Sequence, residues 1–148
     1  MKAQGSYTMS FTNDYEIIDH TADIGIRVRG NSLNSVIKKA VLALSDLMSG
    51  QMKIDRDEEK EFKIHEDEPD IAMVRILEEV LYLFEHQKFA VSDCRASIDN
   101  NDYIIELKGR LYNLDELKEA TEIKAVTYHM LSVKKVNDNW EATVIFDI

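Results

Sequence analysis

Asp19, His20 and Asp23 place two carboxylates and an imidazole within five residues, just ahead of the alternating segment Ile24-Gly25-Ile26-Arg27-Val28-Arg29-Gly30. A histidine between acids can be tuned toward neutrality, which is what a small hydrolase using general acid–base chemistry needs. Geometry weighs against that use. Asp19 and His20 are adjacent, so an extended backbone points them to opposite faces, and no Ser or Cys stands as an evident nucleophile. The hydrolase built on Asp19, His20 and Asp23 stays as an alternative, with His20 more simply a turn-stabilising hydrogen-bonding group.

The other chemistry in the chain is that of carboxylates. In the last segment Trp140, Ala142, Val144 and Phe146 alternate onto one face, so Glu141, Thr143, Ile145 and Asp147 take the other. Asp147 and the main-chain carboxylate of Ile148 follow one another, and Asp23 is a third candidate. All are ionised at neutral pH on their reference values. Two like charges ~4 Å apart repel by about 4 kcal/mol at an effective dielectric of 20, so converging carboxylates call for a cation or a raised pKa. Oxygen donors without thiolate or imidazole select a hard divalent cation such as calcium or magnesium. The residue pattern leaves open whether the three groups converge or stay separately solvated.

The elements that would position them follow from periodicity. Tyr15 to Ile18 and Ile24 to Arg29 read as strands, the second with Ile24, Ile26 and Val28 directed to a core. Leu33, Val36, Ile37, Ala40, Val41, Leu44, Leu47 and Met48 recur at the helical period, with Asn31 or Ser32 as N-cap and Gly50 where a left-handed residue ends a helix. Residues 55–70 are acid-rich, and Asp55, Asp57, Glu59 and Glu66 fall in a calcium-loop register. Lys60 stands where that loop needs glycine, however, and Phe62 and Ile64 alternate, so an acidic edge strand and loop is expected. A second helix opens at Pro69 and buries Ile71, Val74, Leu77, Val80, Leu81 and Phe84 before ending at His86 to Lys88. Strands are expected over Phe89–Ile98, Tyr103–Leu111, Lys124–Val136 and Trp140–Phe146, with turns at Asn100-Asn101 and Asn137 to Asn139 and one helical turn within Tyr112 to Glu122. The order β-β-α-β-α-β-β-β-β describes an α+β domain, two helices packed on a mostly antiparallel sheet.

Composition sets the remaining bounds. A chain of 148 residues is one domain by default and needs no staple. Its single cysteine, Cys94, allows neither an internal disulfide nor a cysteine-based zinc cluster. No apolar run reaches membrane-span length and residues 1–14 lack a signal-peptide core, so a cytoplasmic protein with no membrane partner is expected. Eighteen basic against 28 acidic residues give a net charge of −10, which argues against direct nucleic-acid binding. Arg27 and Arg29 share a strand face and Lys134-Lys135 could lie nearby, a pattern read as an ordinary solvated face because no aromatic platform is interleaved with it. No glycine-rich phosphate loop is present.

The segment Asp19-His20-Thr21-Ala22-Asp23-Ile24-Gly25, together with Ile123-Lys124-Ala125-Val126-Thr127-Tyr128-His129-Met130 and the terminal Phe146-Asp147-Ile148, resembles the archease family in order and spacing. The resemblance runs from Tyr15 to Ile148. It implies a single domain over 15–148, with residues 1–14 a poorly ordered N-terminal extension. It also implies a divalent cation, calcium first, with magnesium and manganese as alternatives, held by Asp23, Asp147 and Ile148. Lys124 corresponds to a family lysine implicated in activating a partner. The implied function is that of a non-enzymatic cofactor of the RtcB-type RNA ligase of tRNA splicing, promoting its guanylylation and repeated turnover. A looser version is a chaperone or modulator of nucleic-acid-processing enzymes, including a tRNA methyltransferase.

Overall fold

A computed structural model of the chain describes residues 8–12, 15–19, 23–50 and 52–148. The alternating segments pair as strands, with β1 (Thr8–Thr12), β2 (Tyr15–Asp19) and β3 (Asp23–Gly30) joined in antiparallel register. Ser32 then caps α1 (Leu33–Ser49), its hydroxyl accepting from the Ser35 N–H at 3.1 Å. Gly50 ends the helix at φ 62°, and a Cβ there would run into the Lys118 carbonyl oxygen, so both backbone and packing require glycine. The acid-rich stretch contributes β4 (Glu58–His65), and Pro69 opens α2 (Pro69–His86) as expected.

After the helices come β5 (Phe89–Asp99) and β6 (Asp102–Leu111), linked by Asn100 and Asn101 at φ 49° and 69°, the positive values a two-residue hairpin turn demands. A 3-10 turn at Leu114–Glu116 leads to β7 (Ala125–Val126), β8 (Ser132–Val136) and β9 (Asn139–Asp147).

The fold is α+β, and the described strands form two sheets. The larger has the order β1-β2-β3-β9-β7 with β8 also on β9, the smaller β4-β6-β5, and every pair is antiparallel. Helix α1 packs on β2, β3 and β9 of one sheet and on β5 of the other, while α2 touches β4, β5, β7 and β8. One apolar cluster therefore serves both sheets. Ile26, Ile37, Leu44, Leu77, Phe89, Ile105 and Phe146 are fully buried in it, each worth roughly 1.5–3 kcal/mol of transfer free energy.

Two segments differ from the sequence expectation. Five residues of the expected extension form β1, in register with all of β2. The stretch expected as one strand over Lys124–Val136 is two short strands around a turn. In that turn Met130 takes φ 54° and the Leu131 N–H donates to the Tyr128 carbonyl at 3.2 Å. His129, expected on a strand face, is exposed in it, its N–H donating to Thr127 Oγ1 at 3.2 Å. The cause lies at Thr127. Its N–H and its hydroxyl both donate to the Ile145 carbonyl, and its hydroxyl oxygen then accepts from His129, which turns the chain away from the ladder. Among the described residues no helix is long and apolar enough to cross a membrane.

Candidate functional site

The register of β3 on β9 decides where the predicted carboxylates go. Ile24, Ile26 and Val28 stand opposite Phe146, Val144 and Ala142 on the core face, so Asp23, Gly25, Arg27 and Arg29 stand opposite Asp147, Ile145, Thr143 and Glu141 on the outer face. Directly opposed residues of an antiparallel pair hold their Cβ atoms about 4.5–5.5 Å apart. Asp23 and Asp147, at opposite ends of the domain's sequence, thus share one corner of the larger sheet. The Asp23 Oδ1 atom is shielded from solvent, while Asp147 is exposed.

Two further predicted residues reach the same corner through the backbone. The Lys124 N–H donates to the Asp147 carbonyl at 2.8 Å, and Ala125 is the register partner of Asp147 on β7. Asp147 is therefore flanked by β3 on one side and β7 on the other. Ile148 follows directly, half-buried, its side chain packed against the core cluster. That packing fixes the main chain behind Asp147. The Lys124 side chain is exposed.

This donor set suits a hard cation: two facing carboxylates, with a main-chain oxygen group adjacent, offer only oxygen. Among the described residues no group of three His, Cys, Asp or Glu side chains is placed to hold a metal ion. Among the described residues the main chain at Ile148 is the oxygen group next to Asp147. The hydrolase alternative gains nothing here. His20 lies outside the described residues, and Asp19 is in register with Ile24, one position off the row that Asp23 shares with Asp147.

The model of the Archease protein family (MTH1598/TM1083) matches residues 15–148. The chain belongs to the archease family. It is 36% identical over 141 residues to the protein archease of Methanosarcina barkeri, covering 90% of this chain and 95% of the relative. To the protein archease of Pyrococcus furiosus it is 30% identical over 139 residues, covering 90% and 98%. Two solved structures share the archease architecture. The solution structure of Methanobacterium thermoautotrophicum protein 1598 gives a TM-score of 0.77 at 23% identity, over 93% of this chain and all of that one, which speaks for the fold. The 2.0 Å crystal structure from Thermotoga maritima, described as an archease and possible chaperone, gives 0.62 at 27% identity, over 95% and 98% of the two chains. The family's matched span ends on Asp147 and Ile148 and includes Asp23 and Lys124.

Two residues on the outer face of this archease sheet carry more than periodicity suggested. Gly25 lies beneath Ile145: a Cβ there would stand 2.5 Å from the Ile145 Cδ1 and 3.0 Å from the Val144 carbonyl oxygen. Its lack of a side chain lets Ile145, nominally on the outer face, be buried to 1% exposure. Glu16, in register with Arg27, is 2% exposed and tied to both strand arginines. The signal for it was present, since a hairpin closing between Asp19 and Asp23 sets Glu16 beside Arg27 and matches their charges.

The larger hollows lie elsewhere. One of about 400 Å³ is lined by Met48, Phe84, Tyr112, Leu117 and Ile123. Another, of about 450 Å³, holds the hydrogen bond from the Tyr15 hydroxyl to Asp46 at 2.9 Å. Neither is lined by Asp23 or Asp147. Burial pushes the Cys94 thiol up to about 12, with Asp93 adding to the shift, which leaves it an inert core residue.

Proposed function

We propose that this chain is a non-enzymatic protein cofactor of an RtcB-type RNA ligase, acting in the cytoplasm on tRNA splicing by promoting guanylylation of the ligase. The observation that carries the reading is the convergence of Asp23, Asp147, Ile148 and the Lys124 backbone on one corner of the larger sheet. Family membership supports it, because those are the positions the archease resemblance singles out. A divalent cation, calcium first, would be held by Asp23, Asp147 and the main chain of Ile148. Bound there, it would neutralise carboxylates that otherwise repel.

The chain's own residues do the rest. Ile148 anchors the corner by packing on the core, and β7 and β3 hold Asp147 from both sides. Lys124, exposed beside it, offers an ammonium to the partner surface. A protein partner also reconciles a net charge of −10 with a role in RNA processing. The description of the Thermotoga maritima relative as a possible chaperone favours a broader second reading. On that reading the same corner serves as modulator of other nucleic-acid-processing enzymes, a tRNA methyltransferase among them.

The deciding experiment measures GTP-dependent guanylylation of the cognate ligase with and without this protein. The expected result is stimulation by wild type and its loss in Asp147→Ala. A folded Asp147→Ala protein with full stimulation overturns the mechanism. For the cation, calorimetric titration with calcium should show weaker binding when three residues are added after Ile148. Unchanged affinity would exclude Ile148 from the ligand set.

A further inference from the structure

The outer face of the larger sheet carries a second group of polar side chains, starting about 14 Å from Asp23 at ~3.4 Å per strand residue. There a concavity of about 290 Å³ is lined by Arg27, Arg29, Ser132, Lys134, Glu141 and Thr143, together with the apolar Met130. Four strands build it. Glu16 of β2 faces Arg27 of β3, Arg27 and Arg29 face Thr143 and Glu141 of β9, and these in turn face Ser132 and Lys134 of β8.

The two guanidiniums are held in fixed orientations. Arg29 donates from Nη1 to Glu16 at 2.7 Å and from Nε to Glu141 at 2.8 Å. Arg27 donates from Nε to the Thr143 hydroxyl at 3.2 Å, and its Nη1 lies 3.7 Å from the other Glu16 oxygen. The Glu16 side chain is only 3% exposed, whereas that of Arg29 is 54% exposed. Burying a carboxylate costs several kcal/mol, and a solvated surface pair would not require it. Its effect here is to hold two cations in place from the neighbouring strand. Each guanidinium has five N–H donors, more than these contacts use.

Charge and chemistry then define what fits. Arg27, Arg29 and Lys134 set three positive charges against Glu16 and Glu141, so this hollow is net positive on a chain of net −10. Fixed guanidinium forks with neighbouring hydroxyls match the oxygens of a phosphate group, which Arg binds bidentately. We infer that this concavity is a phosphate-binding site, taking either the phosphate tail of a nucleotide or a phosphate of an RNA strand. The inference is independent of the ligase reading and of any cation at Asp23.

Titration calorimetry at low ionic strength with sodium tripolyphosphate, GTP and a 5′-phosphorylated hexaribonucleotide tests it. Wild type should bind at least one, and Lys134→Glu, a change at an exposed position, should weaken that binding about tenfold, the loss of one charge-assisted contact. Lys108→Glu makes the same charge change on the smaller sheet and should alter affinity less than about twofold. The triple variant Glu16→Gln, Arg27→Gln, Arg29→Gln removes both guanidiniums without leaving a buried anion, and should abolish binding. Tripolyphosphate and GTP binding alike names the nucleotide tail as the source, and a tighter hexaribonucleotide names RNA. Absence of binding by all three probes, or an equal loss in Lys108→Glu, overturns the site.

Discussion

The outer faces of the two sheets use similar residues to different ends. On the smaller sheet Arg95 stands opposite Glu106, with 3.9 Å between Nε and Oε1, and their side chains are 80% and 47% exposed. On the larger sheet Arg29 stands opposite Glu141 and also reaches Glu16, whose side chain is 3% exposed. Pairs of the first kind contribute ~0–1 kcal/mol and are screened by salt. Those of the second kind cost more to break, because removing one partner strands a buried charge. Opposed ion pairs in a strand register therefore say little about function until burial is known. The larger sheet, where Glu16 and Ile145 are buried on the nominal outer face, also carries the carboxylate corner.

The sharpest way to break this contrast is to remove the two arginines. Arg27→Ala with Arg29→Ala leaves Glu16 buried without its cations, and about 3 kcal/mol of stability should be lost, seen as a fall in thermal midpoint of roughly 10 °C. Adding Glu16→Gln should return much of it. A double variant as stable as wild type would mean that Glu16 is effectively solvated and the two faces are alike.

Gly25→Ala probes the same face through packing rather than charge. The added methyl would meet Ile145 Cδ1 at 2.5 Å, an overpacking worth about 2 kcal/mol. Ile145→Val deletes the clashing atom and should restore part of the loss, with the Val144 carbonyl at 3.0 Å retaining the remainder. Chemical denaturation of the single and double variants measures both terms. The absence of rescue would place the strain in the backbone instead.

Such contacts mark the boundary of what sequence pattern can convey. Ser32, Gly50, Pro69 and the Asn100-Asn101 turn act through local backbone chemistry, and all were legible because their partners lie within a few residues. The outward placement of Asp147 was legible too, from period-2 alternation. That Asp147 meets Asp23 depends on the β3–β9 register across more than a hundred residues, which alternation does not fix, and motif resemblance alone pointed to it. Division of the strands into two sheets was not legible, since helices with apolar residues on most of their surface can pack on either. The turn at Thr127 to Leu131 was hidden because Thr, Tyr, Met and Leu fit a strand equally well. Its cause is a side-chain hydrogen bond to β9, a partner far along the chain.

Smaller effects belong to the smaller sheet. Arg95→Ala should change stability by less than about 0.5 kcal/mol, and less still at high salt. Glu61 goes further, because it stands directly opposite Glu106, and both are exposed. Like charges facing each other across a ladder are unfavourable, and an opposite pair is favourable by ~0.2–1 kcal/mol. Reversing the charge with Glu61→Lys should therefore stabilise the protein by a few tenths of a kcal/mol. A denaturant midpoint shifted upward, with the gain fading as salt is raised, is the expected result. A substantial loss instead would show that the acidic row of β4 is held in specific contacts, as Glu16 is, and would erase the distinction between the two faces.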